Sequence, residues 1–228
     1  MRPRVFEMNS FCLLSIDKLM PLVYIVTNGV SKEGDRVPKQ GLSKESVVQA
    51  AIQLIEEKGI DQFSMAKLAQ RLNLKTASLY NHIDSLNQLL ECVGEDAVRR
   101  IVVQETLAIA GKKCDDALFA LAEAYRTFVR EHYELYRVIM AFPKLDDPTL
   151  EQEAGKIISP IFEVLSGYGL TEEQRYHWQR VLRAVMGGFA FHEQSGGFSQ
   201  LPVDQDESFR IAIQCVADGL RKAGGDKH

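Results

Sequence analysis

From Ser43 to the end of the chain, apolar residues recur every three or four positions, and no stretch alternates in twos between turn signals. A period near 3.6 puts apolar side chains on one side of an α-helix, whereas a half-buried strand needs a period of two. The fold class this predicts is all-α. Val47, Ala50, Ala51, Leu54 and Ile55 make the first stripe. Ser43 can cap that helix, with Ser46 three residues on in place of the Glu or Gln of a full capping box, and Gly59 can stop it. Ser64 can cap a second helix carrying Met65, Leu68, Ala69 and Leu72, and Asn73 suits a tight left-handed turn. A third short helix is expected over 76–82. Asp84 and Ser85 can cap a fourth through Leu86, Leu89, Leu90 and Val93. Further helices are expected at about 95–109, 115–131, 134–141, 149–167, 172–194 and 206–222. Between them lie turn signals such as Gly111, "FPKLDDP" (142–148), "GYG" (167–169) and "SGGFSQLP" (195–202).

The chain of 228 residues is 46% hydrophobic and carries a formal net charge of -4. That composition suits one large globular domain or two small ones. Mild acidity argues against a uniformly basic coat but leaves a local basic face open. Residues 1–40 stand apart. Their apolar run "LMPLVYIV" (19–26) contains Pro21 and is far shorter than the roughly 20 apolar residues of a membrane span. No alanine occurs before Ala50, so an A-x-A cleavage site is missing. With the polar, Gly- and Pro-containing linker at 31–41, residues 1–40 read as a poorly structured extension; a short edge strand or membrane-touching segment is the rival. Cys12, Cys92, Cys114 and Cys215 are scattered without CxxC spacing, as reduced thiols of a cytoplasmic protein would be, and they offer no zinc site. No nucleophile–base pair, paired carboxylates or Gly-rich phosphate loop stands out, so neither catalysis nor a metal or cofactor is expected.

In the stretch "KTASLYNHIDS" (75–85) the small side chains of Ala77 and Ser78 cannot fill a core, and the donors Lys75, Thr76, Asn81 and His82 are not arranged like a metal or catalytic site. Two short helices joined by a tight turn, the second one polar, are the arrangement that places a helix in the major groove of DNA. Ala77 and Ser78 are small enough for close entry. Thr76, Ser78, Tyr80 and Asn81 can bond base edges and phosphates, and Lys75 and His82 can approach the backbone. Leu68, Ala69, Leu72, Leu74 and Leu79 are expected to brace the pair.

"FSMAKLAQRLNLKTASLYNHIDSLNQLL" (63–90) closely resembles the DNA-binding domain of TetR-family transcriptional regulators, at Ser64, Leu68, Ala69, Leu72, Leu74, Leu79, Tyr80, His82 and Leu89. The match covers about 43–90. Three positions depart from the pattern: Asn73 replaces the turn glycine, Ile83 an aromatic, and Leu86 a lysine that usually meets a phosphate. The missing lysine implies either weaker backbone binding or a compensating contact from Lys75 or Lys44, and Ser64 joins the DNA-facing set. Six bases stand against five acids between 38 and 90, so placement of charge matters more than its amount.

The C-terminal segment "RAVMGGFAFHEQSGGFSQLPVDQDESF" (183–209) is similar to a TetR subgroup with H-G-F, GGF and PxDxDxSF elements, with Gly187 in place of the histidine. "HYELYRVIMAFPKLDDP" (132–148) is like the subgroup's central segment, and the likeness covers about 115–221. The resemblance implies a dimer through the last two long helices and a small-molecule effector bound in the middle. The residues point the same way. Trp178, Val181, Leu182, Val185, Met186 and Phe189 make one stripe, and Phe209, Ile213, Val216 and Leu220 repeat with the spacing of a coiled-coil seam. Val181, Val185, Phe209, Ile213, Val216 and Leu220 are therefore expected at a homodimer interface, the alternative being the subunit's own core. Gly187 and Gly188 suggest close helix approach. Tyr125, Phe128, Tyr133, Met140, Phe142, Trp178 and Phe189 are candidates for an apolar pocket, and His132, His177 and His192 read as surface or satisfied histidines. The domains expected are an extension at 1–40, a helix-turn-helix DNA-binding domain at 41–90, and a helical ligand-binding and dimerisation bundle at 91–228. The expected function is a ligand-responsive repressor released by a small molecule from a palindromic double-stranded DNA operator, away from any membrane. The alternatives are an enzyme, a transcriptional activator, or a helical adaptor that binds protein.

Overall fold

The computed structural model describes residues 42–141, 156–200 and 202–225, and every regular element among them is helical. Residues 1–40 and the expected pocket residue Phe142 lie outside the described residues. α1 (Lys44–Lys58) starts where the Ser43 hydroxyl accepts the Ser46 N–H at 3.2 Å. The Ser46 hydroxyl accepts the Ser43 N–H at 2.9 Å in return, so a serine closes the box that usually takes Glu or Gln. At its other end Gly59 has φ +80°, and a Cβ there would lie 3.4 Å from the Glu134 carboxylate. A 3-10 turn (Ile60–Gln62) leads to α2 (Met65–Arg71), which Ser64 caps by accepting the Lys67 N–H at 3.3 Å. Asn73 then takes φ +53°, the left-handed turn expected of it.

α3 is shorter than its sequence suggests. Helical geometry covers Thr76–Leu79, and residues 80–82 form a turn. The N–H groups of His82 and Ile83 both donate to the Leu79 carbonyl, at 2.9 and 3.1 Å. That closure puts Ile83 in the core and lets Ser85 cap α4 (Leu86–Ile109). α4 is one helix rather than the expected two. Gly94 is buried inside it, and the packing of Val93, Ala97 and Ile101 outweighs the ~1 kcal/mol that an interior glycine costs. α5 (Cys114–Glu131), α6 (Tyr133–Ala141), α7 (Ser159–Ser166), α8 (Glu172–Gln194) and α9 (Gln205–Gly224) follow.

Two main cores result. The first joins α1, α2, α3 and the start of α4 to Leu135 and Val138 of α6. The second joins Ile109 of α4 to α5, α7, α8 and α9. α6 reaches past the first core, because Tyr136 clusters with Val129 of α5 and Ala190 of α8.

The stripe of α9 corrects an expectation. Phe209, Ile213, Val216 and Leu220 are all buried in the second core, so they form no seam between subunits. Val185 packs against the same core, and of the six expected interface residues only Val181 is exposed, at 43%. The periodicity marked a buried face correctly. Its partners are α8 and α5 of the same chain, through residues such as Leu182, Met186, Leu118 and Leu121. A polar clip reinforces this docking. The Arg126 guanidinium, 1% exposed, donates to Glu193 at 2.9 and 2.7 Å and lies 4.7 Å from the Phe209 ring centroid. Burial raises the Glu193 carboxyl, but the bonds from Arg126 and Arg130 hold it below the usual carboxylate range.

Candidate nucleic-acid interface and internal cavity

The hydroxyls of Ser43, Ser46, Ser64 and Ser85 are committed to helix caps, each accepting a backbone N–H. The segment from α3 into the next turn differs. The side chains of Thr76, Ser78, Tyr80, Asn81 and His82 make no hydrogen bond among the described residues. Leu79 is fully buried and anchors the segment. Ala77 and Asn81 are exposed, Tyr80 is 50% exposed, and Thr76, Ser78 and His82 are half-buried. Leu68 and Ala69 are buried behind them with Leu72 packed alongside, but the fifth expected brace, Leu74, is exposed just after the left-handed turn.

The charges nearby divide in two. Arg71 grips Glu57 through bonds of 2.6 and 2.8 Å, and that contact lowers the Glu57 carboxyl and neutralises the arginine locally. Lys44, Lys67 and Lys75 are exposed and hold no ion pair among the described residues. Of the expected DNA-facing set, Lys44, Lys75, Thr76, Ala77, Ser78, Tyr80, Asn81 and His82 keep their polar or small surfaces free, while Ser64 also serves as a cap. The arrangement is a surface of uncommitted donors and acceptors flanked by free cations, which suits a groove and its phosphates.

The second feature is internal. A cavity of about 210 Å³ lies among α4, α5, α6, α7 and α8, lined by Ile101, Glu105, Tyr125, Tyr136, Ile139, Met140, Ile157, Ile161 and Arg183. It shares Tyr125, Tyr136, Met140 and Arg183 with a wider groove of about 650 Å³ that adds Gln179, Arg180, Ala184, Gly187, Gly188 and Phe191. The Tyr125 hydroxyl donates to the Tyr136 hydroxyl at 3.1 Å, and burial pushes the Tyr125 phenol well above its usual value. Gly187 makes room for this pair: a Cβ there would sit 3.2 Å from the Tyr125 oxygen. Glu105 is 2% exposed, its Oε2 has no hydrogen-bond partner among the described residues, and burial pushes its carboxyl up to about 8 against the opposing pull of the Arg183 charge.

Two of the expected pocket residues line this cavity, Tyr125 and Met140. The others do different work. Phe128 is buried against His132, and Phe189 packs with Phe198 and Phe209 beneath Arg126. Trp178 lies so close to α9 that a Cβ on Gly219 would overlap its ring. Glu105, Tyr136 and Arg183 were missed. A signal existed for Glu105, which sits four residues after Ile101 and four before Ile109 and is thus an acid in an apolar register.

α6 connects the two features. Glu134 accepts the Ile60 N–H at 2.8 Å, and Arg137 donates twice to Asp61 at 2.9 Å, fixing the 3-10 turn ahead of α2. His132, just before α6, places Nδ1 2.6 Å from Glu56 of α1. Leu135 and Val138 enter the first core, while Tyr136, Ile139 and Met140 line the cavity.

Comparison with known proteins places both halves. Residues 47–93 match the model described as bacterial regulatory proteins, tetR family, and residues 118–216 match the tetracyclin repressor-like C-terminal domain. The uncharacterized HTH-type transcriptional regulator Rv0681 of Mycobacterium tuberculosis is 31% identical over 182 residues, covering 79% of this chain and 83% of that protein. Among solved structures, ActR of Streptomyces coelicolor in complex with (S)-DNPA aligns with a TM-score of 0.60 at 19% identity, covering 82% of this chain and 100% of that one. BioQ with its natural double-stranded DNA operator aligns with a TM-score of 0.60 at 21% identity, covering 79% and 99%. At such identities the two structures speak to the fold.

Proposed function

The chain belongs to the TetR family of bacterial DNA-binding transcriptional regulators, and we propose that it acts there as a ligand-responsive repressor. As a dimer it holds a palindromic operator, and a small molecule in the internal cavity releases it. The observation that carries this reading is the position of α6, which lines the cavity with Tyr136, Ile139 and Met140 and grips the DNA-binding helices through Glu134 and Arg137. A ligand that binds better to a shifted α6 moves the population toward a state whose recognition segments no longer match half-sites roughly 34–36 Å apart.

In this reading 41–90 meets DNA, 91–228 carries the effector and the dimer contact, and α4 runs through both. One recognition segment reaches few base pairs, so a two-fold dimer is needed to read enough sequence. The exposed sides of α8 and α9, with Val181 at 43% and Ile211 at 51%, are the surface assigned to it. Among the described residues no helix is long and apolar enough to cross a membrane, in keeping with action on DNA in the cytoplasm.

Selection of bound sites from random double-stranded DNA tests the reading. A palindrome is expected. Thr76→Ala and Ser78→Ala should each reduce discrimination at one or two positions by about 1–3 kcal/mol. Tyr80→Phe and His82→Ala should weaken specific and non-specific binding alike, because phosphates carry no sequence. Recovery of no common site, or of an asymmetric one, would overturn it.

A further inference from the structure

The polar groups of the cavity wall are almost all donors. Tyr136 accepts the Tyr125 proton, and its own hydroxyl donates to nothing among the described residues. Arg183 and Arg180 reach the groove without an ion pair among the described residues. Glu105 is the one acid among the described lining residues, 2% exposed, with no cation within ion-pair distance among the described residues. A carboxyl so placed stays protonated, since a lone buried charge costs far more than the neutral acid. It then presents an O–H from inside an apolar chamber, and its Oε2 is left unpartnered. Among the described lining residues the only full charges are therefore positive. Ile101, Ile139, Met140 and Ile161 supply an apolar wall. At about 210 Å³ the chamber exceeds the roughly 150 Å³ apolar cavity that admits benzene.

We propose that the ligand of this cavity is an anionic amphiphile, an aryl or short acyl carboxylate, with its body among the isoleucines and its carboxylate between the protonated Glu105 and the Arg183 guanidinium. This rests on the cavity being the effector site, and it names the chemistry that site selects. A cation is disfavoured twice: it meets Arg183, and it must first ionise Glu105. A neutral amide satisfies the donors but leaves the arginine charge unanswered.

Binding is thereby linked to a proton. Around Glu105 the titratable or charged groups among the described lining residues are Tyr125 from α5, Tyr136 from α6 and Arg183 from α8, while α7 contributes Ile161. Tyr125 is held neutral by burial and arginine does not titrate, so Glu105 governs the response. The anion binds the protonated acid, so affinity is flat between the ligand's own carboxyl pKa, about 4–5, and about 8, and it falls as pH rises through about 8.

Calorimetry of the full-length protein with three probes that share one body tests this: 3-phenylpropionate, 3-phenylpropanamide and 3-phenylpropylamine. The carboxylate should bind at least about tenfold tighter than the amine and tighter than the amide. Its affinity should decline above pH 8. Glu105→Gln keeps a donor that cannot ionise, so it should retain carboxylate binding and lose the pH dependence. Arg183→Gln, an exposed and foldable change, should weaken the carboxylate about tenfold and leave the amide unaffected. Preference for the amine, carboxylate affinity that rises as pH passes through about 8, or failure of all three probes to bind would each overturn the proposal. Operator release by the probe is read separately. Carboxylate-selective binding without release supports the ligand class while overturning the effector reading.

Discussion

At the scale of single residues, Glu105 carries the most consequence. Its carboxyl is raised from 4.5 to about 8 chiefly by burial, with the Arg183 charge opposing. The unfolded chain gives up this proton near the ordinary value, whereas the folded chain keeps it to about 8. Between those limits the folded state binds more protons, so its stability falls as pH rises, by about 1.4 kcal/mol per pH unit from this group alone, and levels off above about 8. Glu105→Gln should remove that slope. Urea unfolding of both proteins at pH 5.5 and pH 8.5 measures it, and a variant with the same pH dependence as the parent would show that Glu105 is ionised when folded. Asn73 is a second local decision: the left-handed turn between α2 and α3 exists because a short polar side chain tolerates φ +53° where most residues would be strained.

At the scale of elements, α6 is nine residues long and faces two ways. Its coupling to the DNA-binding helices depends on few bonds, of which the Glu134 contact to the Ile60 N–H at 2.8 Å is the most specific. Glu134→Ala should leave that N–H without its partner and lower stability by about 1.5–3 kcal/mol, the usual range for a hydrogen bond to a charged group. Amide exchange should quicken at Ile60–Gln62 while the amides of α5, α8 and α9 keep their protection. Unchanged exchange at Ile60 would mean that the 3-10 turn is held by the backbone of α1 and not by α6. Helix boundaries also belong to this scale. α3 ends at Leu79 because two N–H groups close on that carbonyl, and α4 runs on through Gly94 because the core face around it is continuous.

At the scale of the whole molecule, the question is which surface a second copy covers. Val216 is 4% exposed within its own subunit, so Val216→Asp should unfold the chain by placing an unpaired charge in the core. Val181→Asp and Ile211→Asp lie on exposed positions and should fold normally. Sedimentation should then find monomers, with operator binding lost, because one recognition segment alone reads too short a site. Folded dimers of either variant with unchanged operator affinity would place the interface elsewhere on the molecule.

The sequence by itself determined the helical class, most helix limits, the caps at Ser43, Ser64 and Ser85, the left-handed Asn73 and the polar recognition segment. Each of these depends on residues within a few positions of one another, through periodicity or through a side chain bonding its own neighbouring backbone. Only the tertiary structure decided what the apolar faces meet. Periodicity shows that a face is buried and is silent on whether the partner is the same chain, here α8 and α5, or a second subunit, which is why Phe209, Ile213, Val216 and Leu220 were misplaced at an interface. The cavity was equally hidden. Its wall takes residues from five helices between Ile101 and Arg183, and the environment that protonates Glu105 is made by Tyr125, Tyr136 and Ile161, none of them its neighbour in sequence. Burial of a charge is set by everything packed around it, so it exists only once the helices have docked.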